Sequence, residues 1–319
     1  MVSRQASEWS GVANKASLAD IGKTAWRGPG AEGGIGDMVT AGDVLWEEFS
    51  ANEGEVSPIW GDLRAACPEF FAAYANLAAV PRRRGALDVK TRELIMLAIN
   101  AAVTHLNKDE MRRHIRGALR HKAKPEEILE VLQLVSVLGI HAISIGFPAL
   151  KDIANAAGRS DELPGPNLDA HQARLKEQFQ AARGYWSPFW EEALQLDPSL
   201  FEAYLNFSSI PWTHGVLEPK VREFIYVAID ASTTHMFDMG TRGHMANALK
   251  HGATVAEILE VLEHAAAIGI QSIVEGLPIL HEEVAAHRAA AGAQQDTTRL
   301  ADPGRTSVSV PPTNPEQSE

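Results

Sequence analysis

Displaced by 130 positions, the chain falls onto itself without a gap. Asp88-Val-Lys-Thr-Arg-Glu-Leu-Ile-Met-Leu-Ala-Ile-Asn lies over Glu218-Pro-Lys-Val-Arg-Glu-Phe-Ile-Tyr-Val-Ala-Ile-Asp. Glu127-Ile-Leu-Glu-Val-Leu lies over Glu257-Ile-Leu-Glu-Val-Leu, and Phe49, Ser57, Pro58 and Trp60 fall on Phe179, Ser187, Pro188 and Trp190. Solenoid repeats run roughly 20–50 residues. A period this long is that of a small domain, so the chain reads as a tandem duplication. The duplication also works as an alignment of two sequences: a residue kept in both copies meets one demand twice.

Bulk properties narrow the partners. A formal net charge of −12 gives nucleic acid no basic footprint. The run Arg82-Arg83-Arg84 has the counterpart Trp212-Thr213-His214, so the duplication does not keep it. It reads as a solvated loop cluster. The one cysteine, Cys67, faces Asp197 in the other copy, which excludes an internal disulfide and fits a reducing compartment. The N-terminus lacks the apolar stretch of a signal peptide. No segment is expected to span a membrane, and the expected location is the cytoplasm.

Residues 1–40 form a glycine-rich arm in which Gly28–Asp37 suits no regular element. Repeat one covers 41–155, a polar linker 156–166, repeat two 167–288, and a Ser/Thr/Pro/Gln-rich tail 289–319 is expected to be disordered. Within each repeat the apolar period is helical and alternating β patterns are absent. Early helices are expected near 43–50 and 67–79, and at 173–180 and 197–209. A third begins at Asp88, or at Glu218-Pro219, and runs to about Val103 or Ser232. Next come Asp109–His121 and Met239–His251. Pro125 at a first helical position and the Thr254/Glu257 capping box start another helix, which runs to Gly139 and Gly269. A last helix is expected to break at Gly146-Phe-Pro148 and Gly276-Leu-Pro278. The fold class is all-α: two tandem helical bundles.

On the helix from Asp88, Glu93, Asn100 and Thr104 interrupt an apolar sequence at i, i+7 and i+11, one face of a helix. The second copy places Glu223, Asp230 and Thr234 there. His105 and His235 follow directly, and the next helix adds His114 and His244. A carboxylate beside imidazoles is what proton transfer near neutral pH requires. Each residue also has a structural reading. Glu93 and Glu223 suit dipole or ion-pair duty near a helix start, and the histidines suit core hydrogen bonds or helix ends. His121 and His251 are assigned to helix C-terminal charge complementarity. A zinc site from Glu93, His105 and His114 is conceivable, but His-x8-His across a helix junction matches no compact metal motif. No metal and no cofactor are therefore expected.

Arg92-Glu93-Leu-Ile-Met-Leu-Ala, His114-Ile-Arg-Gly-Ala-Leu, Pro125-Glu-Glu-Ile-Leu-Glu-Val-Leu and Gly139 together resemble the carboxymuconolactone decarboxylase / alkylhydroperoxidase D-like family. The second copy repeats the pattern with Arg222-Glu223, His244-Met-Ala-Asn-Ala-Leu, Glu257-Ile-Leu-Glu-Val-Leu and Gly269. The resemblance implies an all-α domain that assembles into oligomers, with sites between helices and subunits. Its peroxidase branch uses a Cys-x-x-Cys pair. Here those positions hold Asn107 and Glu110, and Phe237 and Gly240, so thiol peroxidase chemistry is excluded. The decarboxylase branch is the closer match, and its Glu and helix His carry over to Glu93/Glu223 and His114/His244. His105 and His235 are added from the internal repeat.

The expected activity is a cofactor-independent lyase or isomerase on a small carboxylated lactone or enolisable acid, with a place in aromatic-compound catabolism implied by the resemblance. The expected catalytic groups are His114, Glu93, His105, His244, Glu223 and His235. Arg92, Arg116, Asn100 and Thr104, with Arg222, Asp230 and Thr234, are the expected substrate contacts. Arg116 against Ala246, His141 against Gln271 and Ile145 against Glu275 suggest that the two sites differ, or that one is silent. A non-catalytic ligand-binding or assembly protein, and a metal-dependent enzyme using the His/Glu cluster, are the alternatives. A homo-oligomer, dimer or trimer of the tandem chain, is expected.

Overall fold

The structure, a computed structural model, describes residues 46–50, 56–184 and 186–301, with side chains through residue 290. Every regular element among the described residues is helical. The first copy, after a helical turn at 46–50, runs α1 (Pro58–Ala66), α2 (Pro68–Arg84), α3 (Val89–Ala101), α4 (Lys108–Arg120), α5 (Pro125–Val135) and α6 (His141–Ala156). The second runs α7 (Ala170–Arg183), α8 (Pro188–Leu196), α9 (Pro198–His214), α10 (Pro219–Ala231), α11 (Asp238–Lys250), α12 (Val255–Ala266) and α13 (Gln271–Ala301). The 3₁₀ turns Ser136–Ile140 and Ala267–Ile270 join α5 to α6 and α12 to α13.

Local chemistry sets these boundaries. Asp88 accepts from the Thr91 N–H and so caps α3, whereas α10 starts on Pro219. Thr254 and Glu257 form the reciprocal capping box of α12. Four of the helices begin at proline after Ser57, Cys67, Ser187 and Asp197, and two of these, α1 and α8, are nine residues each and escaped the periodicity reading. The expected breaks at Pro148 and Pro278 do not occur: both prolines lie inside continuous helices. A proline removes one N–H and crowds one carbonyl, and both helices continue through that local cost. The backbone of α13 runs on to Ala301 through an alanine-rich stretch of good helix formers. Residues 1–45 and 302–319, which include the arm and most of the tail, lie outside the described residues.

Neither copy packs by itself. The central helices α3 and α10 lie on each other and are buried nearly all round, including nine consecutive residues, Arg222–Asp230. Leu94, Leu97 and Ala98 of α3 join Val131 and Leu134 of α5 and Ile225 and Ile229 of α10 in one cluster. Ile95 and Ile99 join Phe224, Val227, Val261 and Ala265 in its mirror image. The peripheral helices are exchanged between copies. Phe49, Leu63 and Phe71 pack against Ile273 and Leu277 of α13. Phe179, Trp190 and Phe201 pack against Ile140, Ile143 and Phe147 of the first copy.

Two buried glutamates tie the exchange. Glu130 of α5 accepts from the backbone N–H groups of Val216 and Leu217 and pairs with Arg222 Nε at 2.6 Å. Glu260 of α12 accepts from Ala86 and Leu87 N–H and lies 3.4 Å from Arg92 Nε. Gly215 is required here, because a Cβ on it would lie 2.2 Å from a Glu130 carboxylate oxygen.

Val131–Leu150 contains no Asp, Glu, Lys or Arg, and Pro125–Ala156 is apolar and long enough to cross a membrane by those criteria alone. Its two halves serve different packing. The inner face of α5 fills the shared core, while α6 buries no residue and exposes Ile145, Leu150 and Ile153.

Candidate functional site

The duplicated helix pair α3–α4, and its copy α10–α11, brings each helix histidine onto the glutamate of the preceding helix. His114 Nδ1 lies 2.8 Å from Glu93 Oε2, and His244 Nδ1 lies 2.7 Å from Glu223 Oε2. Each carboxylate therefore fixes one ring nitrogen and leaves Nε2 to act. Beyond that point the copies diverge.

In the first copy Nε2 is taken. Arg113 Nη2 lies 3.0 Å from His114 Nε2 and Glu110 Oε2 lies at 3.5 Å, while Arg113 and Glu110 are paired at 2.6 Å. The His114 side chain is 4% exposed. The Glu110 carboxyl is first pushed up by burial, but hydrogen bonds from His114 and Arg113 bring it down to about 2. Glu93 follows the same order: burial raises it, and the His114 hydrogen bond and nearby cations bring it below its ordinary value. Gly117 admits the Glu93 carboxylate, which would lie 2.3 Å from a Cβ there.

In the second copy Gly240 stands in place of Glu110 and Gly243 in place of Arg113. The His244 side chain is 19% exposed, and among the described residues the polar atom facing its Nε2 is Asp230 Oδ2, at 3.9 Å. Tyr226 stacks on the imidazole at 4.5 Å between centroids. His244 opens onto a cavity of about 550 Å³ lined by both copies: Val137, Leu138, Ile140 and His141 from the first, and Phe179, Trp190, Tyr204, Trp212 and Phe237 from the second. Arg183, Arg222 and Lys250 give it cations. Arg183 donates to Ser208 Oγ and lies over the Trp212 ring. A smaller hollow of about 260 Å³ around Ile143, Tyr204 and Phe207 holds no carboxylate, imidazole or cation.

His141 enters this cavity from α6. Its Nδ1 lies 2.6 Å from His235 Nε2 and 3.9 Å from Asp230 Oδ1, and its ring stacks on Phe237 at 3.9 Å. These three side chains, all described, have donor atoms within 4.8 Å of one another and could hold a metal. Burial pushes the Asp230 carboxyl up to about 7, with Glu223 adding to it and His244 opposing. Burial, then the neighbouring imidazoles, lowers His141 to about 3, and burial lowers His235. The duplication-related cluster has amides instead: Gln271 of α13 donates to Asn100 Oδ1 at 2.6 Å, and its own oxygen meets His105 Nε2 and Asn107 Nδ2.

The expected site residues thus separate. Glu223, His244 and Asp230 meet at the cavity, with His235 behind them. Glu93 and His114 meet in a closed pair. His105 hydrogen-bonds Gln271, and the donor atoms of Glu93, His105 and His114 form no metal-sized group, since the helix turn sends His105 toward α13. Asn100 is fully buried and binds Met96 O and Gln271. Thr104 and Thr234 do not share the face of Glu93 and Glu223. The helices end at Ala101 and Ala231, and the two hydroxyls meet each other across the copies at 3.4 Å. Arg92 and Arg222 face Glu260 and Glu130, although Arg222 also borders the cavity. Arg116 is exposed on α4 and does not line the cavity. The sequence reading missed Arg183, Tyr226 and the filling pair Glu110 and Arg113. The pairings Glu110/Gly240 and Arg113/Gly243 were visible in the internal alignment.

The model of the family described as Carboxymuconolactone decarboxylase family matches residues 68–157 and 198–282. A crystal structure from Burkholderia xenovorans LB400, provisionally described as a gamma-carboxymuconolactone decarboxylase subunit, is 44% identical. That match covers 78% of this chain and 98% of the other, with a TM-score of 0.73. Among curated proteins nothing matches.

Proposed function

This chain belongs to the carboxymuconolactone decarboxylase family, and from that premise we propose that its second repeat is a lyase or isomerase for a small carboxylated lactone or enolisable acid. The observation that carries this is the contrast between the two histidines: His244 Nε2 faces a mixed polar and apolar cavity, while His114 Nε2 is covered by Arg113 and Glu110.

The chemistry follows from the arrangement. Glu223 orients the ring through Nδ1, so Nε2 is the atom that gives or takes a proton. In a decarboxylation the carbon–carboxylate bond breaks, carbon dioxide leaves, and its electron pair passes into the adjoining conjugated system. Nε2 then supplies the proton to carbon. Isomerisation uses the same nitrogen to remove and return a proton. Arg183 and Lys250 are the cavity cations suited to a substrate carboxylate, because Arg222 is already paired with Glu130. The apolar walls from Trp212, Tyr226 and Phe237 fit a flat ring. Self-association is part of this reading, supported by the uncovered apolar side chains of α6.

The test is carbon dioxide release from 4-carboxymuconolactone by the wild-type chain beside H244Q and R183Q. Release lost in H244Q, with a raised KM in R183Q, is the expected result. Wild-type release that H244Q leaves intact overturns the assignment.

A further inference from the structure

We propose that His141 Nδ1, Asp230 and His235 Nε2 form a binding site for one divalent first-row transition metal ion at the wall of the second-copy cavity. Two imidazoles and one carboxylate are the donor set of mononuclear zinc sites and of iron(II) sites with open positions. Donors about 2.1 Å from a common ion stand roughly 3 Å apart. The separations are 2.6 Å for His141–His235 and 3.9 Å for His141–Asp230, and all three donor atoms lie within 4.8 Å of one another, so side-chain rotation would bring them onto one ion.

A second observation is independent of the spacing. Asp230 is 1% exposed; its Oδ1 faces His141, and its Oδ2, 3.9 Å from His244 Nε2, is buried with no hydrogen-bond partner among the described residues. A buried carboxylate oxygen without a donor is costly, and native structures rarely leave one so. Gly240 keeps the space beside it clear, since a Cβ there would lie 2.0 Å from Oδ2. His141 and Asp230 both line the cavity onto which His244 opens, so open coordination positions would meet a substrate there.

The duplication-related cluster supplies the comparison. At the three equivalent places, related by 130 positions, stand Gln271, Asn100 and His105, and the amides satisfy one another. The amides close on one another as donors and acceptors, whereas a carboxylate and two imidazoles offer three lone-pair ligands that one cation can take. The duplication has therefore produced one closed hydrogen-bonded set and one donor set from the same backbone positions. The site rests on its own geometry and stands whether or not the reaction proposed above is the right one.

The experiment is titration of the untagged, chelator-treated full chain with Zn²⁺ by calorimetry and with Co²⁺ by visible absorption. The variants are H141Q/D230N, which installs the counterpart residues of Gln271 and Asn100, and D230N alone, which keeps the side-chain shape. The wild-type chain is expected to bind one ion with a Kd in the micromolar range or below. The variants are expected to bind at least ~100-fold more weakly, since loss of mere outer-shell partners costs 10–100-fold. Wild-type Co²⁺ should give visible d–d bands that the variants lack. Binding no tighter in the wild type than in folded D230N, or a cobalt spectrum shared by both, overturns the site.

Discussion

Removing the carboxylate of Glu130 should damage the whole molecule rather than one copy. The side chain is 2% exposed and serves three donors: two backbone N–H groups of the loop before α10, and Arg222 Nε at 2.6 Å. In E130A the Arg222 guanidinium, 7% exposed, stays buried without its partner, a situation that costs roughly 3–5 kcal/mol. The two orphaned N–H groups would each add about 1–3 kcal/mol if water could not reach them. Relaxation of the loop and cation–π contact of Arg222 with Trp212 at 5.3 Å recover part of this. A net loss of about 4–6 kcal/mol is expected, comparable with the total stability of many domains. Because the cores are shared, urea unfolding followed by circular dichroism and tryptophan fluorescence should show one coincident transition, shifted to lower urea in E130A. The apolar exchange E130M/R222M should recover most of the loss, since a buried pair replaced by well-packed hydrophobes is often neutral. An E130A loss below about 1 kcal/mol, or two separate transitions in the wild type, would refute the interlocked account.

Three further outcomes follow. Glu110 is depressed to about 2, so its contribution to stability is complete above its ordinary value near 4.5 and is lost as pH falls toward 2. The shift corresponds to at most ~3 kcal/mol, and E110Q should flatten the fall in urea midpoint between pH 5 and pH 3, each given roughly; an unchanged acid limb contradicts the pairing. Gly243 has open space where a side chain would begin, so G243R should fold with an unchanged melting temperature. It should cover His244 as Arg113 covers His114 and lower kcat/KM by at least ~100-fold, the smaller end of what acid–base catalysis contributes; full activity sinks the sealing argument. Finally, light scattering should give a multiple of the chain mass for the wild type and a smaller particle for I145E/I153E, while a wild-type monomer removes the role given to α6.

Much of the fold was legible because its signals are local. Asp88, Pro125, Pro219 and the Thr254/Glu257 pair mark helix starts by hydrogen-bonding rules that need only three or four neighbouring residues. The pairing of Glu with helix His could be read because both lie on adjacent helices and recur. What stayed hidden depends on long-range packing. The exchange of α1–α2 and α7–α9 between copies leaves no periodic trace. It brings Arg183 to the cavity, while the approach of α6 to the loop after α10 joins His141 to His235, 94 positions away. Arg92 and Arg222 looked like anion holders because arginines beside a catalytic glutamate suit that task. The glutamates that pair with them lie on helices of the other copy. The replacement of Glu110 and Arg113 by Gly240 and Gly243 was in plain view. Its meaning emerged only once the sites showed that those positions face the histidine.

The central claim is that one repeat does the chemistry, and a side-by-side measurement of kcat/KM for H114Q and H244Q tests it most directly. Each histidine is replaced by a side chain of similar reach, with folding checked for both. The account predicts that H244Q falls by roughly 10²–10⁴-fold, while H114Q stays within a few-fold of the wild type once its stability is matched. Equal loss in both, or loss in H114Q alone, would contradict it.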